Sequence, residues 1–171
     1  FITGFDGCKA VFDGYRRGWA QTHKTPMPLD RLAYLGFCYV GDTDEEGYAG
    51  AEKLLWYLTA NKAPPHFRNF PGYMTPEARA SVLKAGVPKL EDHRIPEVQT
   101  QIRVGNMFAG NPDTVFEQIK KFHDHVGGFG NLMFMGQAGH MKSDETIRGL
   151  KLFASEVLPR LKELKAGFAA A

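Results

Sequence analysis

Between an apolar run and a charged helix start lies Gly136-Gln137-Ala138-Gly139-His140, small residues around two polar ones. Small residues at a strand-to-helix turn let a planar ligand approach the backbone closely, and the Gln137 amide or the His140 imidazole can hydrogen-bond its edge. Gln137, Gly139 and His140 are therefore the binding candidates, and His140 the candidate for catalysis. The competing reading is that the glycines only make the turn and His140 faces solvent. His123 and His125 invite a metal, but at i and i+2 on a helix they point to different sides. No carboxylate-rich cluster accompanies them, so no metal site is expected and both are read as a solvated helix face. Cys8 falls on an apolar helix stripe and Cys38 inside a strand, which makes both small core residues rather than nucleophiles. Gly127-Gly128-Phe129-Gly130 precedes a strand instead of opening a helix, so it caps the preceding helix and does not cradle a phosphate. Gly110-Asn111-Pro112-Asp113 does open a helix, but Asp113 already supplies the negative charge that the helix dipole favours, and a phosphate there would be repelled.

Helices and strands must hold these side chains. Cys8, Val11, Phe12, Tyr15 and Trp19 form the apolar stripe of a helix over 6–22, with Asp6 as N-cap. Residues 31–41 are apolar on both alternating faces, as in a central strand covered on both sides. Ala33, Leu35, Phe37 and Tyr39 share one face, and Leu32, Tyr34, Gly36, Cys38 and Val40 the other. Thr43 and Glu46 have capping-box spacing, and a helix should follow to about Asn61. From Lys62 to Gln101 the prolines 64, 65, 71, 76, 88 and 96 break any long element, although Thr75-Pro76-Glu77 can start one short helix. So long an aperiodic segment inside a compact domain reads as a mobile lid, with His66, Arg68, Lys89, His93 and Arg94 as its polar candidates.

Regularity returns at 106–110. Asn111, Pro112 and Asp113 then start a helix whose stripe is Val115, Ile119, Phe122 and Val126. Residues 131–136 read as a short buried strand. Ser143-Asp144-Glu145 caps a last helix carrying Ile147, Leu150, Phe153, Val157 and Leu161, kinked by Pro159. The alternation is α/β, yet two convincing strands cannot form a sheet that four such helices cover on both faces. The arithmetic suits a slice of a larger alternating α/β domain better than a complete one, since a (β/α)8 barrel typically takes ~250 residues. The expectation is one incomplete, helix-rich domain over 1–171 with two to three parallel strands, beginning at Phe1 in the middle of something larger.

Composition narrows the function classes. Twenty-one Lys plus Arg against 19 Asp plus Glu leave a charge of +2, too balanced for the electrostatic footprint of a nucleic-acid binder. No apolar run approaches the roughly 18 residues of a spanning helix, so membrane insertion is disfavoured. Two cysteines in 171 residues make no disulfide scaffold, and cytoplasm is the default compartment.

The order and spacing of several motifs resemble the bacterial-luciferase-like flavin-dependent monooxygenases. They are the Tyr15-Arg16-Arg17-Gly18-Trp19 helix, Gly41-Asp42-Thr43-Asp44-Glu45-Glu46 after the strand, Gly110-Asn111-Pro112-Asp113-Thr114-Val115, Gly127-Gly128-Phe129, and Leu152 through Leu161. The resemblance implies that the chain is the C-terminal portion of a (β/α)8 TIM barrel about twice this length, commonly dimeric, using reduced FMN with molecular oxygen, or a deazaflavin in some branches, with a flavin reductase as partner. It would make residues 1–5 the tail of strand six, 31–41 strand seven, 131–136 strand eight, and the proline-rich segment the loop over the flavin. Gln137 or His140 would then meet the flavin edge. Leu35 and Phe37 would stand where the sulfonate-cleaving branch has basic residues, an apolar wall suited to an aldehyde, alkane-like or aromatic small-molecule substrate, unless they are only barrel filler. The segments that hold most of the flavin phosphate in that family are not in the chain. By itself it is therefore expected neither to turn over nor to bind FMN tightly, and its open sheet edge should drive homo-oligomers. The alternative is a non-catalytic, flavin-free relative or a self-standing α/β module.

Overall fold

The computed structural model describes residues 4–59, 75, 77 and 95–164. Helix α1 (Gly4–Thr22) leads through a 3-10 turn (Leu29–Arg31) into β1 (Ala33–Val40), then α2 (Asp44–Leu54) and α3 (Trp56–Thr59). Further on come α4 (Val98–Val104), β2 (Met107–Gly110), α5 (Pro112–His125), β3 (Asn131–Met135), α6 (Ser143–Leu152), a π-helical turn (Phe153–Val157) and α7 (Leu158–Lys162). The fold is α/β and helix-rich, with one sheet of three parallel strands in the order β2-β1-β3.

β1 is the central strand, as its two apolar faces require. Phe37 to Val40 pair with Met107 to Gly110 on one side, and Ala33 to Phe37 pair with Asn131 to Met135 on the other. Tyr34, Cys38 and Val40 enter a core with Phe108, Val115, Ile119, Phe122 and Phe129 beneath α1, α5 and the π turn. Phe37 and Tyr39 enter a second core with Ala51, Leu54, Met107 and Met141. Phe122, fully buried, is the hub of the first: the rings of Tyr34, Phe5, Phe108 and Phe129 stand 4.1, 5.1, 5.8 and 6.1 Å from it. Burying a ring of this size contributes about 1.5–3 kcal/mol. The Tyr34 hydroxyl donates to the Gly105 carbonyl at 2.5 Å, tying β1 to the left-handed C-cap of α4, where φ is +85° and glycine is favoured.

Local signals set most helix starts. Thr43 Oγ1 accepts from Glu46 N at 3.2 Å, while the Glu46 carboxylate reaches back to the Asp42 N–H at 3.1 Å, one residue beyond the reciprocal bond of a capping box. Asn111 Oδ1 accepts from Thr114 N at 2.9 Å with Pro112 in the first turn. α2 sits close on the sheet because Gly47 has no side chain: a Cβ there would lie 2.4 Å from the Gly110 carbonyl oxygen.

Several expectations need correction. Gly4 and Phe5 are helical, so they are not the tail of a strand, and Asp6 lies inside the first turn of α1 instead of capping it. There it contacts His125 Nε2 at 3.0 Å. Val11 and Tyr15 are exposed, because α1 buries only the stripe through Gly4, Cys8 and Phe12. The helix after β1 breaks at Leu55. Of the 62–101 segment only Thr75, Glu77 and residues 95–101 are described; Glu77 is helical, and α4 begins at Val98. β2 went unread because four residues are too few to show a period. β3 is an edge strand with Met133 52% exposed, not a buried one. Lys142 rather than Ser143 occupies the N-cap of α6, with no side-chain cap bond. Ile147 and Leu150 are exposed, since α6 meets β1 through Gly149, whose added Cβ would stand 3.1 Å from the Tyr39 ring. The expected distortion at Pro159 takes the form of the π turn just before it, which accommodates a residue that has no N–H to donate.

Candidate functional site

In parallel α/β sheets ligands bind outside the carboxyl ends of the strands. Two features occupy that end here. The first is a crevice of about 410 Å³ above β1, between α2 and α6. Its cation is spoken for: Arg148 pairs with Asp42 and, at 3.7 Å, with Glu46, and beside it Lys53 pairs with Glu145. The Tyr39 hydroxyl donates to the Glu145 carbonyl at 3.2 Å, and burial with the nearby Glu145 carboxylate pushes its pKa up. Neutral and paired, these groups join α2 to α6.

The second feature is the turn after β3. Gln137 is exposed, and its Nε2 donates to the Ala138 carbonyl at 2.7 Å. Its own carbonyl accepts from the Tyr57 hydroxyl of α3 at 2.9 Å. Ala138 is fully buried; its N–H points at Met141 Sδ, 3.2 Å away, and its carbonyl accepts from Met141 N at 3.0 Å. Gly139 lies against the Trp56 indole, where an added Cβ would come within 3.7 Å of Cζ2. His140 is exposed, with no hydrogen bond among the described residues.

Gln137, Gly139 and His140 are thus brought together with two residues that sequence reasoning missed, Trp56 and Tyr57. Trp56 is 40% exposed and meets Tyr57 edge-on at 5.1 Å. The Tyr57 ring stacks over Phe37 at 5.8 Å and 23°. Phe37, wholly buried, is therefore the floor under Tyr57, and a chain of contacts runs from Phe37 through Tyr57 to the Gln137 carbonyl. Leu35, half-buried, lies two residues lower on the same strand face, opposite Met133. The signal that could have pointed to Trp56 and Tyr57 is a pair of adjacent aromatics at the break of a helix that follows a central strand.

Chemically, the turn is a ledge with an indole plane, a backbone free of side-chain bulk at Gly139, and an amide and an imidazole at its rim. Those groups fit the edge of a flavin ring. Arg148 and Lys53 do not fit its phosphate, because each already neutralises a carboxylate. The polar lid candidates His66, Arg68, Lys89, His93 and Arg94 lie outside the described residues.

The remaining candidates are structural. His123 is buried, its ring edge-on to Phe129 at 5.2 Å, whereas a solvated position was expected; His125 points elsewhere, to Asp6. No group of three or more metal-ligating side chains occurs among the described residues. Cys8 and Cys38 are free and buried; burial pushes the Cys8 thiol up to about 11 and the Cys38 thiol higher still. Among the described residues no helix is long and apolar enough to cross a membrane.

No protein-family model matches the chain, and no curated protein matches it in sequence. Solved structures do match in fold. One is the oxygenating constituent of 3,6-diketocamphane monooxygenase from the CAM plasmid of Pseudomonas putida, a type II Baeyer-Villiger monooxygenase in complex with FMN. It superposes with a TM-score of 0.60 at 23% identity over 97% of this chain and 42% of that one. Another is the monooxygenase RslO1 from Streptomyces bottropensis, with a TM-score of 0.57 at 17% identity over 91% of this chain and 38% of that one. The chain therefore has the fold of part of these monooxygenases and spans less than half of their length.

Proposed function

We propose that this chain is the C-terminal part of a flavin-dependent monooxygenase of the luciferase-like class, which inserts one oxygen atom into a small, largely apolar substrate. The observation that carries the reading is the Gly136–His140 turn, with its polar rim beside the Trp56 indole, at the carboxyl end of β3 in a fold shared with two monooxygenases. Reduced FMN, or a deazaflavin in its place, supplies the electrons for oxygen activation, and a flavin reductase delivers it. Gly139 lets the ring come close, Gln137 hydrogen-bonds its edge, and His140 holds or releases a proton there. Tyr57 orients the turn through the Gln137 carbonyl. Leu35, together with the Tyr57 ring stacked on the buried Phe37, supplies an apolar wall that would leave an anionic group unpaired, so a neutral substrate is favoured over an anionic one. The described thiols, free and buried, suit a reducing cytoplasm.

The test is titration with riboflavin and FMN followed by amide chemical shifts. Without a phosphate site the two should bind alike and weakly, with Kd above roughly 100 µM, since two walls enclose little of a ligand that usually needs to be mostly buried. Shifts should centre on 137–140 and disappear in Gln137→Ala combined with His140→Ala. The ion pairing of Arg148 and Lys53 favours a second reading, a flavin-free relative. Unmoved resonances at 137–140 with riboflavin near solubility would establish that reading, and micromolar FMN binding would refute the partial-barrel reading.

A further inference from the structure

The turn after β3 is closed by two bonds between the same two residues. Met141 N donates to the Ala138 carbonyl at 3.0 Å, the backbone bond of a tight turn, and the Ala138 N–H donates back to Met141 Sδ at 3.2 Å. Gly139 and His140, both exposed, are the central residues of the ring so formed. Gln137 Nε2 is a second donor to the Ala138 carbonyl, at 2.7 Å, so the backbone of this fully buried residue is satisfied within the turn itself. A thioether is a weak acceptor, which makes its use here informative. Met141 is 8% exposed and belongs to the core cluster of Phe37, Tyr39, Ala51, Leu54 and Met107. A hydroxyl or an amide would accept the bond more strongly but would bring polar hydrogens of its own into that cluster. Leucine would fill the space and leave the Ala138 N–H, cut off from water, without an acceptor. Methionine meets both demands.

We infer that Met141 is a positioning residue, whose sulfur latches the Gly139–His140 tip in the conformation that sets the His140 imidazole beside the open backbone of Gly139. Without the sulfur bond the ring is held at one point instead of two, and the tip can open from its Ala138 end. Gln137 is tied to the same ring: one N–H of its amide is committed to the Ala138 carbonyl, which leaves Oε1 and the second N–H to face a ligand. A ligand that meets a tip already in place avoids the cost of ordering it. The latch rests on the hydrogen bond alone, whereas the identity of that ligand as a flavin rests on the function proposed above.

Hydrogen exchange followed by NMR on the 171-residue chain tests the latch. The wild-type Ala138 amide should be protected, although Gln137 and Gly139 on either side of it are exposed. Met141→Leu keeps an apolar side chain of similar volume and removes the acceptor, so Ala138 should lose protection ~10-fold more than Tyr39 and Leu54, which share the cluster. Its amide proton should also move upfield, a signature of the lost acceptor that altered packing alone does not give. Selenomethionine labelling changes the acceptor atom without a mutation, and should shift the same resonance while keeping it protected. Riboflavin should bind Met141→Leu at least ~3-fold more weakly than the wild type. An unprotected Ala138 amide in the wild type, no shift on selenium labelling, or wild-type protection in Met141→Leu overturns the latch. Equal riboflavin affinity of variant and wild type overturns the positioning role. A wild type that ignores riboflavin overturns the flavin reading instead, and the exchange data then decide the latch by themselves.

Discussion

Replacing Arg16 should cost more than any other surface-reachable side chain in α1. Its guanidinium donates to three consecutive carbonyls, Val126, Gly127 and Gly128, each at 2.8 Å, and so closes the C-terminus of α5. Asp13 holds it at 3.0 Å, and the guanidinium carbon stands 5.8 Å from the centre of the Phe12 ring. A hydrogen bond to a charged group contributes about 1.5–3 kcal/mol in isolation, but these share one guanidinium. A quarter of the side chain is also open to water, which would replace part of what is lost. The net for Arg16→Ala is therefore about 2–3 kcal/mol, or roughly 5–10 °C in Tm for a chain of this size. Lysine is a point charge that reaches one carbonyl at a time, so Arg16→Lys should lose about 1–2 kcal/mol. Arg16→Met keeps the stem and separates packing from hydrogen bonding. Urea unfolding measures the series, and amide exchange at 131–133 should quicken, since Gly127–Gly130 sets the entry of β3. A loss below about 0.5 kcal/mol for Arg16→Ala, or equal losses for Lys and Ala, would refute the reasoning.

The buried thiols predict a pH dependence. Folding raises Cys8 from 9.0 to about 11, so the folded state keeps a proton that the unfolded chain releases; the stability is fully present below pH 9 and declines toward pH 11. The slope is about 1.4 kcal/mol per pH unit per thiol, and Cys8→Ala should flatten it in urea titrations at pH 8 to 11. Gly47→Ala should destabilise by about 1–3 kcal/mol or more, since the new methyl meets backbone, and a Tm within 1 °C of wild type would contradict the close approach of α2 to Gly110. Tyr57→Phe should leave Tm within about 2–4 °C, losing one hydrogen bond of about 1 kcal/mol, yet speed amide exchange at 137–140; unchanged exchange there would remove Tyr57 as the support of the turn.

What the sequence determined by itself is what neighbours along the chain decide. The caps at Thr43 and Asn111 act within three residues, and both helices begin where those residues direct. The stripe Val115, Ile119, Phe122 and Val126 repeats with the helix period and is buried throughout. Residues 33–40 carry apolar side chains on both faces, which only a strand with neighbours on each side and cover above and below can satisfy; β1 is that strand. Gln137, Gly139 and His140 were legible as a turn for the same local reason.

Tertiary structure decided the rest, because the deciding partners are distant in sequence. Four residues at 107–110 become a strand only because β1 offers them hydrogen bonds, and they lie on the far side of it from β3, an order that no periodicity encodes. Val11, Tyr15 and Met133 have core-type side chains but stand at the rim of what their elements cover, so composition assigned them to the interior and geometry left them outside. Tyr57 reaches Gln137 across 80 residues of chain, and that contact converts an isolated turn into a ledge with an aromatic wall. A hydrogen bond of that span leaves no trace in local spacing, since the free energy it contributes depends on where the sheet and α3 have already brought its two ends.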